Sequence, residues 1–82
     1  GAELDLLVFL NGKRVGFEFK YADVPAVTRS MTIARDDLKL HRLLVVHPGK
    51  RSYPLNDWAE AVAIADLRSH VQVRRHKRRD AH

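Results

Sequence analysis

The sequence predicts one small α/β domain whose elements follow the order strand, strand, helix, strand, strand (β-β-α-β-β). Three observations predict it: an Asn-Gly pair between two β-rich runs, an apolar stripe at helical spacing, and a continuous apolar run that ends at Pro-Gly. The chain has 82 residues and no cysteine. A chain of this size forms a single small core, and no disulfide can support it.

The first two predicted strands, residues 3–10 and 15–21, are apolar-rich runs of the kind that form strands. Asn11 and Gly12 lie between them. Both residues of a tight two-residue hairpin turn adopt positive φ, which Asn and Gly tolerate better than other residues. The sequence therefore predicts a β-hairpin.

The length of the hairpin turn decides which side chains face each other. A two-residue turn places Leu10 opposite Lys13 and, further along, Asp5 opposite Glu18. A four-residue loop would pair Asp5 with Lys20 instead, as an ordinary cross-strand salt bridge. With the two-residue turn, Asp5, Glu18 and Lys20 share one polar face, because side chains alternate along a strand. The opposite face is predicted to be the core side and carries Leu4, Leu6, Val8, Val15, Phe17, Phe19 and Tyr21.

A helix is predicted over residues 25–38. Asp23 is its expected N-cap, and Pro25 lies in its first turn. The apolar stripe recurs at helical spacing and consists of Val27, Met31, Ala34 and Leu38.

Residues 42–47 form a continuous apolar run, which is typical of a strand covered on both faces. Because a helix separates this strand from the hairpin, it is expected to run parallel to the second hairpin strand. Residues 50–57 are expected to be a loop. Residues 60–65 are ambiguous: their alanines favour a helix, whereas the alternation of Val62 and Ile64 favours a strand. We predict a strand there and a helical turn near 66–70.

The net charge of +5 is concentrated at one end of the chain. Residues 74–82 contain five basic residues and one acidic residue, so they carry +4 of this charge. The predicted organisation is an α/β domain at residues 1–73 followed by a disordered basic tail at 74–82. Such a tail either grips nucleic-acid phosphates or only aids solubility. We expect a cytoplasmic protein that does not enter a membrane, since no long apolar stretch is present.

Two opposed carboxylates, Asp5 and Glu18, repel each other unless a positive charge lies between them. Lys20 is one source of that charge, and a divalent cation is another. Hard cations such as Mg²⁺ bind carboxylates together with substrate phosphates. On spacing alone, an ordinary ion cluster on the solvent-exposed side of a hairpin is the favoured interpretation. The five histidines show no ligand spacing and are not assigned to a metal.

The order of these motifs resembles the D…(D/E)-x-K signature of the PD-(D/E)XK, or restriction-endonuclease-like, nuclease superfamily. Within it, the chain is most similar to a domain of unknown function at the C-terminus of prokaryotic AAA-type ATPases. The resemblance covers about residues 3–67. It is carried by Glu3-Leu4-Asp5, Gly16-Phe17-Glu18-Phe19-Lys20-Tyr21, Pro25, Asp37-Leu38, Leu43-Leu44-Val45-Val46-His47-Pro48-Gly49 and Tyr53-Pro54-Leu55.

The resemblance implies a restriction-endonuclease-like core fragment in which Asp5, Glu18 and Lys20 are the catalytic residues. Asp5, Glu18 and the Phe19 backbone carbonyl would bind Mg²⁺ or Mn²⁺, and Lys20 would position or activate the attacking water. The fold's usual leading helix and first strand are absent before Asp5. The chain is therefore expected to be truncated at its N-terminus, to bind the metal weakly and to be inactive as an isolated fragment. The implied partners are DNA, the ATPase portion of a parent chain and a second copy of the domain.

Three functions remain open at this point. The first is a metal-dependent phosphodiesterase that acts on DNA as the C-terminal module of an ATPase. The second is a catalytically inactive module of the same fold, used for DNA binding or protein docking. A generic α/β interaction domain is the third and weakest alternative.

Overall fold

The first two strands form a β-hairpin. The computed structural model describes residues 4–22 and 24–71. Within them, β1 spans Leu6–Leu10 and β2 spans Lys13–Phe19, and the two strands pair antiparallel. The predicted hairpin is therefore confirmed, although the regular part of β1 begins only at Leu6.

The turn of the hairpin has the predicted length. Asn11 and Gly12 have φ values of 57° and 78°, and Leu10 is paired with Lys13. The two-residue turn fixes the pair Leu10–Lys13, and this pair sets the register of the remaining residues of the two strands. The alternative four-residue loop, with its different pairing of the two strands, is excluded.

Helix α1 spans Arg29–Leu38 and begins later than predicted. Its N-cap is Thr28, whose hydroxyl accepts a hydrogen bond from the Met31 amide at 3.3 Å. The prediction that the helix includes Pro25 in its first turn was wrong, and Asp23 lies outside the described residues. Proline disfavours helical backbone at the residue before it, whereas a threonine hydroxyl satisfies one of the unpaired amides of the first turn.

Strand β3 spans Arg42–His47 and lies parallel to β2. Both features were predicted. The turn that leads to it begins at Lys39, which ends α1 with a left-handed φ of 54°. All but the first residue of β3 are buried, because sheet neighbours lie on both sides of the strand and apolar clusters cover both faces.

Strand β5, Ala59–Ala63, resolves the ambiguous segment in favour of a strand. It lies parallel to β3 on one side and antiparallel to the two-residue strand β4, Tyr53–Pro54, on the other. β4 lies inside the segment predicted to be a loop. Pro54 is tolerated in β4 because this is the edge strand of the sheet. Pairing with β3 overrides the helix propensity of the alanines, since propensity is a weak preference compared with burial.

A 3₁₀ turn, Ile64–Asp66, and a short helix α2, Leu67–Val71, follow β5. They confirm the predicted helical turn. The strand order of the sheet is β1-β2-β3-β5-β4. The predicted α/β class is therefore confirmed.

Buried apolar side chains cover both faces of the sheet. The α1 face is lined by Met31, Leu40, Leu43, Val45 and Ala59. The α2 face is lined by Val15, Phe17, Leu44, Val46 and Val62. The two clusters divide the odd and even residues of β3 between them, as alternation along a strand requires.

The predicted core side of the hairpin was only partly right. Leu4 packs with the α1-face cluster instead. It lies against Gly16, where an added Cβ would be 2.8 Å from the Leu4 side chain. Towards the end of β2 the expected core side opens to solvent, because Phe19 is 44 % exposed and Tyr21 is 98 % exposed.

None of the described helices has the length and apolar character needed to span a bilayer. The predicted domain end at residue 73 and the basic tail at 74–82 lie outside the described residues.

Candidate functional site

The parallel strands β2, β3 and β5 end at the same edge of the sheet, which we call the carboxyl edge. Glu18 and Lys20 lie at the end of β2 on this edge. The Lys20 Nζ is 3.7 Å from Glu18 Oε2, and the two side chains are 41 % and 21 % exposed. Their pairing confirms the prediction that alternation places both side chains on one face.

Asp5 reaches β2 through its side chain. It lies in a bend just before β1, and its Oδ2 accepts a hydrogen bond from the Phe19 amide at 2.7 Å. In a regular ladder that amide would donate to a backbone carbonyl of β1, because the Lys20 amide points the other way and donates to Val46 of β3. The Asp5 carboxylate thus replaces a backbone acceptor and contacts the residue between Glu18 and Lys20.

The donor atoms near Phe19 fit a hard cation. In an antiparallel pair, the amide and the carbonyl of one residue point towards the same neighbouring strand. The Phe19 carbonyl is therefore directed to the side on which Asp5 lies, and Asp5 Oδ1 is not used in the bond to the amide. These two groups and the Glu18 carboxylate, one residue before Phe19, are oxygen donors of the type that Mg²⁺ and Mn²⁺ prefer.

Only two carboxylates belong to this set. Across residues 4–22 and 24–71, no three side chains of the His, Cys, Asp or Glu type come together to hold an ion. The convergence of Asp5, Glu18 and Lys20 on one bound cation stays a prediction.

His47, at the end of β3, was not assigned any role from the sequence. It is 2 % exposed, and its Nδ1 accepts a hydrogen bond from the Gly49 amide at 3.0 Å. The proton of the neutral ring therefore lies on Nε2. That atom is buried and has no hydrogen-bond partner in the part of the chain that the structure describes. The only sequence signal is the position of a histidine directly after a buried apolar run.

A second polar cluster lies at the opposite, amino edge of the sheet. The Glu60 carboxylate bridges Arg42 Nη2 at 2.7 Å and His70 Nε2 at 3.0 Å. His70 Nδ1 lies 3.1 Å from the Asp66 carbonyl. Both ring nitrogens of His70 thus face acceptors, an arrangement that suits the protonated ring. Its bond to Glu60 fastens α2 to the sheet.

The pKa of His70 is raised above its ordinary value, first by the hydrogen bond to the Asp66 carbonyl and then by the Glu60 carboxylate, although burial opposes the shift. Because the folded pKa is the higher one, the contribution of this contact to stability is complete below about pH 6.5 and is lost as the pH rises through the folded pKa. We expect a loss of about 1 kcal/mol, since the groups are partly solvated. Urea unfolding on both sides of that range would measure it.

His70→Gln should remove this pH dependence. His41→Gln is the control, because His41 is exposed. An unchanged pH profile in His70→Gln would show that the bridge contributes nothing to stability.

Comparison with known proteins places the chain beside others whose activity is not described. A family model described as Domain of unknown function (DUF4143) matches residues 1–67. Two uncharacterized proteins, one from Mycobacterium tuberculosis and one from Mycobacterium bovis, are each 49 % identical over 61 residues, or 74 % of this chain. The chain spans 14 % of the length of these relatives. No solved structure gave a significant match.

Proposed function

The chain belongs to the DUF4143 family of domains of unknown function, and we propose that it is a nuclease-fold, metal-dependent phosphodiesterase-like domain that acts on or binds DNA. In this proposal it is the C-terminal module of an AAA-type ATPase. Such a module would be one part of a larger chain, which is consistent with relatives about seven times longer than the matched region.

One observation carries the proposal. The Asp5 carboxylate meets the β2 backbone at Phe19, at 2.7 Å, and the neighbours of Phe19 are the carboxylate and the amine of the Glu18–Lys20 pair. The order of Asp, Glu and Lys in this hairpin is that of the PD-(D/E)XK signature. A surface ion cluster needs no contact between Asp5 and the β2 backbone, so this contact favours an organised site.

We assign the roles that the resemblance to the PD-(D/E)XK signature implies. Asp5, Glu18 and the Phe19 carbonyl would hold the cation, whose chemistry is to polarise a phosphodiester and lower the pKa of a bound water. Lys20, with a partly exposed amine, would stabilise negative charge on the phosphate. Its ion pair with Glu18 keeps that amine beside the Glu18 carboxylate.

Titration with Mn²⁺, followed by NMR, tests the metal site on this chain without requiring activity. We expect millimolar affinity, with broadening centred on Asp5, Glu18 and Phe19. Glu18→Gln should abolish this broadening, because the neutral amide is a poor ligand for a hard cation. Lys20→Ala should leave binding equal or stronger, since a competing positive charge is removed.

Asp36→Asn is the matched control, because Asp36 is an exposed carboxylate on α1 whose salt bridge, among the described residues, is with its neighbour Arg35 at 3.9 Å. It should leave the broadening unchanged. Broadening spread equally over all surface carboxylates would reduce the site to an ion cluster and defeat the proposal of metal-dependent catalysis.

The second candidate is a catalytically inactive module of the same fold that binds DNA or docks a protein. It is favoured by the Glu18–Lys20 pair itself, since Lys20 already compensates the carboxylate that a metal would neutralise. The same titration separates the two candidates.

A further inference from the structure

We propose that the carboxyl edge binds one unpaired nucleotide, with the base in an apolar notch beside β2 and the phosphate in an adjacent basic hollow. This inference rests on the proposed function and deepens it, because it names the form of nucleic acid that the site would accept: an unstacked, single-stranded segment.

The apolar notch is lined chiefly by Phe19, Tyr21, Pro48 and Ile64. Tyr21 is 98 % exposed and Ile64 is 59 % exposed, so the notch presents a large apolar area to solvent. Lys20 lies on the same wall. An exposed aromatic ring beside a cation is the combination that stacks bases in single-strand-binding proteins. The apolar surface, the exposed ring and the cation of the notch are therefore suited to stacking a base.

The basic hollow is formed by the segment that follows β3. Lys50 and Arg51 line it, together with Tyr53 and the backbone of Gly49. Within residues 4–22 and 24–71, neither cation forms a salt bridge, and no acidic side chain lines the notch or the hollow. The hollow is therefore complementary in charge to a phosphate group.

His47 and Pro48 line both the notch and the hollow, so the two lie side by side. The buried Nε2 of this histidine is a donor without an acceptor among the described residues. Unsatisfied buried donors are uncommon in folded proteins. A ligand that supplied an acceptor there would satisfy the donor. This is a second observation, independent of the exposed rings, that indicates a ligand at the carboxyl edge.

The notch favours an unpaired nucleotide over a duplex. In a duplex the flat faces of the bases are stacked on each other, and only their edges are accessible in the grooves. A ring such as Tyr21 can stack only on a base that has left the stack. An acidic protein segment would satisfy Lys50 and Arg51 but would have no flat group for the notch.

The test is fluorescence anisotropy with a labelled thymidine oligonucleotide and with a duplex of the same length, in EDTA and at low salt. Tyr21→Ala should weaken binding of the single strand about tenfold, the loss expected when one stacked base is released. Tyr21→Phe keeps the ring and should bind within about twofold of the parent chain. Binding of the duplex should be unchanged by both substitutions.

Phe9→Ala is the matched control, because Phe9 is an aromatic residue of β1 that is 62 % exposed and lies outside the notch. Replacing Lys50 and Arg51 together with glutamine should reduce the magnitude of the slope of log K against log salt by about 0.7, the contribution of one single-strand phosphate contact. Lys13→Gln is the control for this substitution, because Lys13 lies at the opposite edge of the sheet. It should change the salt slope less than the double substitution does.

An equal loss in Phe9→Ala, an equal loss for the duplex, or no loss in Tyr21→Ala would each overturn the inference. Tyr21→Ala weakening the binding of an acidic peptide instead of the oligonucleotide would identify a protein-docking surface and overturn it as well. Because EDTA removes divalent cations, this outcome is independent of the Mn²⁺ titration. A failure of metal binding therefore leaves the nucleotide site standing, and a failure at Tyr21 leaves the proposed metal site standing.

Discussion

Replacing Leu43 with alanine is expected to destabilise the domain by about 2–5 kcal/mol. Leu43 is fully buried in β3, in the cluster that joins α1 to the sheet. The truncation removes apolar contacts and leaves a cavity between α1 and the strands, which packed interiors fill only in part. A domain of this size has a total stability of only about 4–12 kcal/mol, so a large part of the margin would be lost.

Urea unfolding would measure this effect, and Trp58 reports on it directly because its ring packs against the same cluster. Leu7→Ala is the control: Leu7 is 37 % exposed on β1, and its truncation should cost well below about 1 kcal/mol. Similar losses at the two positions would contradict the assignment of Leu43 to the packed core.

Deleting residues 74–82 is expected to flatten the salt dependence of nucleic-acid binding. The five basic residues of this segment can each neutralise one phosphate. Their loss should lower the slope of log K against log salt by up to about 3.5 for a single strand. The tail should raise affinity without sequence preference, because phosphate contacts carry no sequence information.

A chain with residues 74–82 in shuffled order is the control for this deletion and should bind like the parent chain. The tenfold effect of Tyr21→Ala should persist after the deletion, since stacking and phosphate contacts contribute separately. If the deletion leaves the salt slope unchanged, residues 74–82 do not contact phosphates and serve only solubility.

The candidate site could be predicted in part. Alternation along one strand is a local rule, so the shared face of Glu18 and Lys20 follows from their spacing alone. The contact between Asp5 and the Phe19 amide does not follow from any spacing. It depends on a bend before β1, and that bend accompanies the packing of Leu4 against Gly16 on the α1 face.

Which residues meet at the carboxyl edge could not be predicted either, because that too depends on the tertiary structure. Tyr21 was assigned to the core by alternation, yet nothing in the described fold covers the end of β2, and the ring is exposed. His47 ends a strand that sequence analysis identified correctly, and Lys50 and Arg51 follow that strand. Their position beside Tyr21 depends on the parallel pairing of β2 with β3, which brings together segments far apart in the chain.

The sequence by itself determined the elements that depend on neighbouring residues. Asn11 and Gly12 specify the hairpin and its register, because few other residues tolerate two successive positive φ values. The apolar run at Arg42–His47 specifies a buried strand, because so many consecutive apolar side chains need cover on both faces. Together with the helical stripe, these features were sufficient for the α/β class.

Only the tertiary structure decided the elements that depend on distant partners. Ala59–Ala63 is a strand because β3 and β4 supply its hydrogen bonds on both sides, against the helix propensity of alanine. The short strand Tyr53–Pro54 exists only as a partner of β5. Backbone hydrogen bonds between strands join residues that no local window contains, and for this reason the sheet edges, and the candidate sites on them, were decided by the fold.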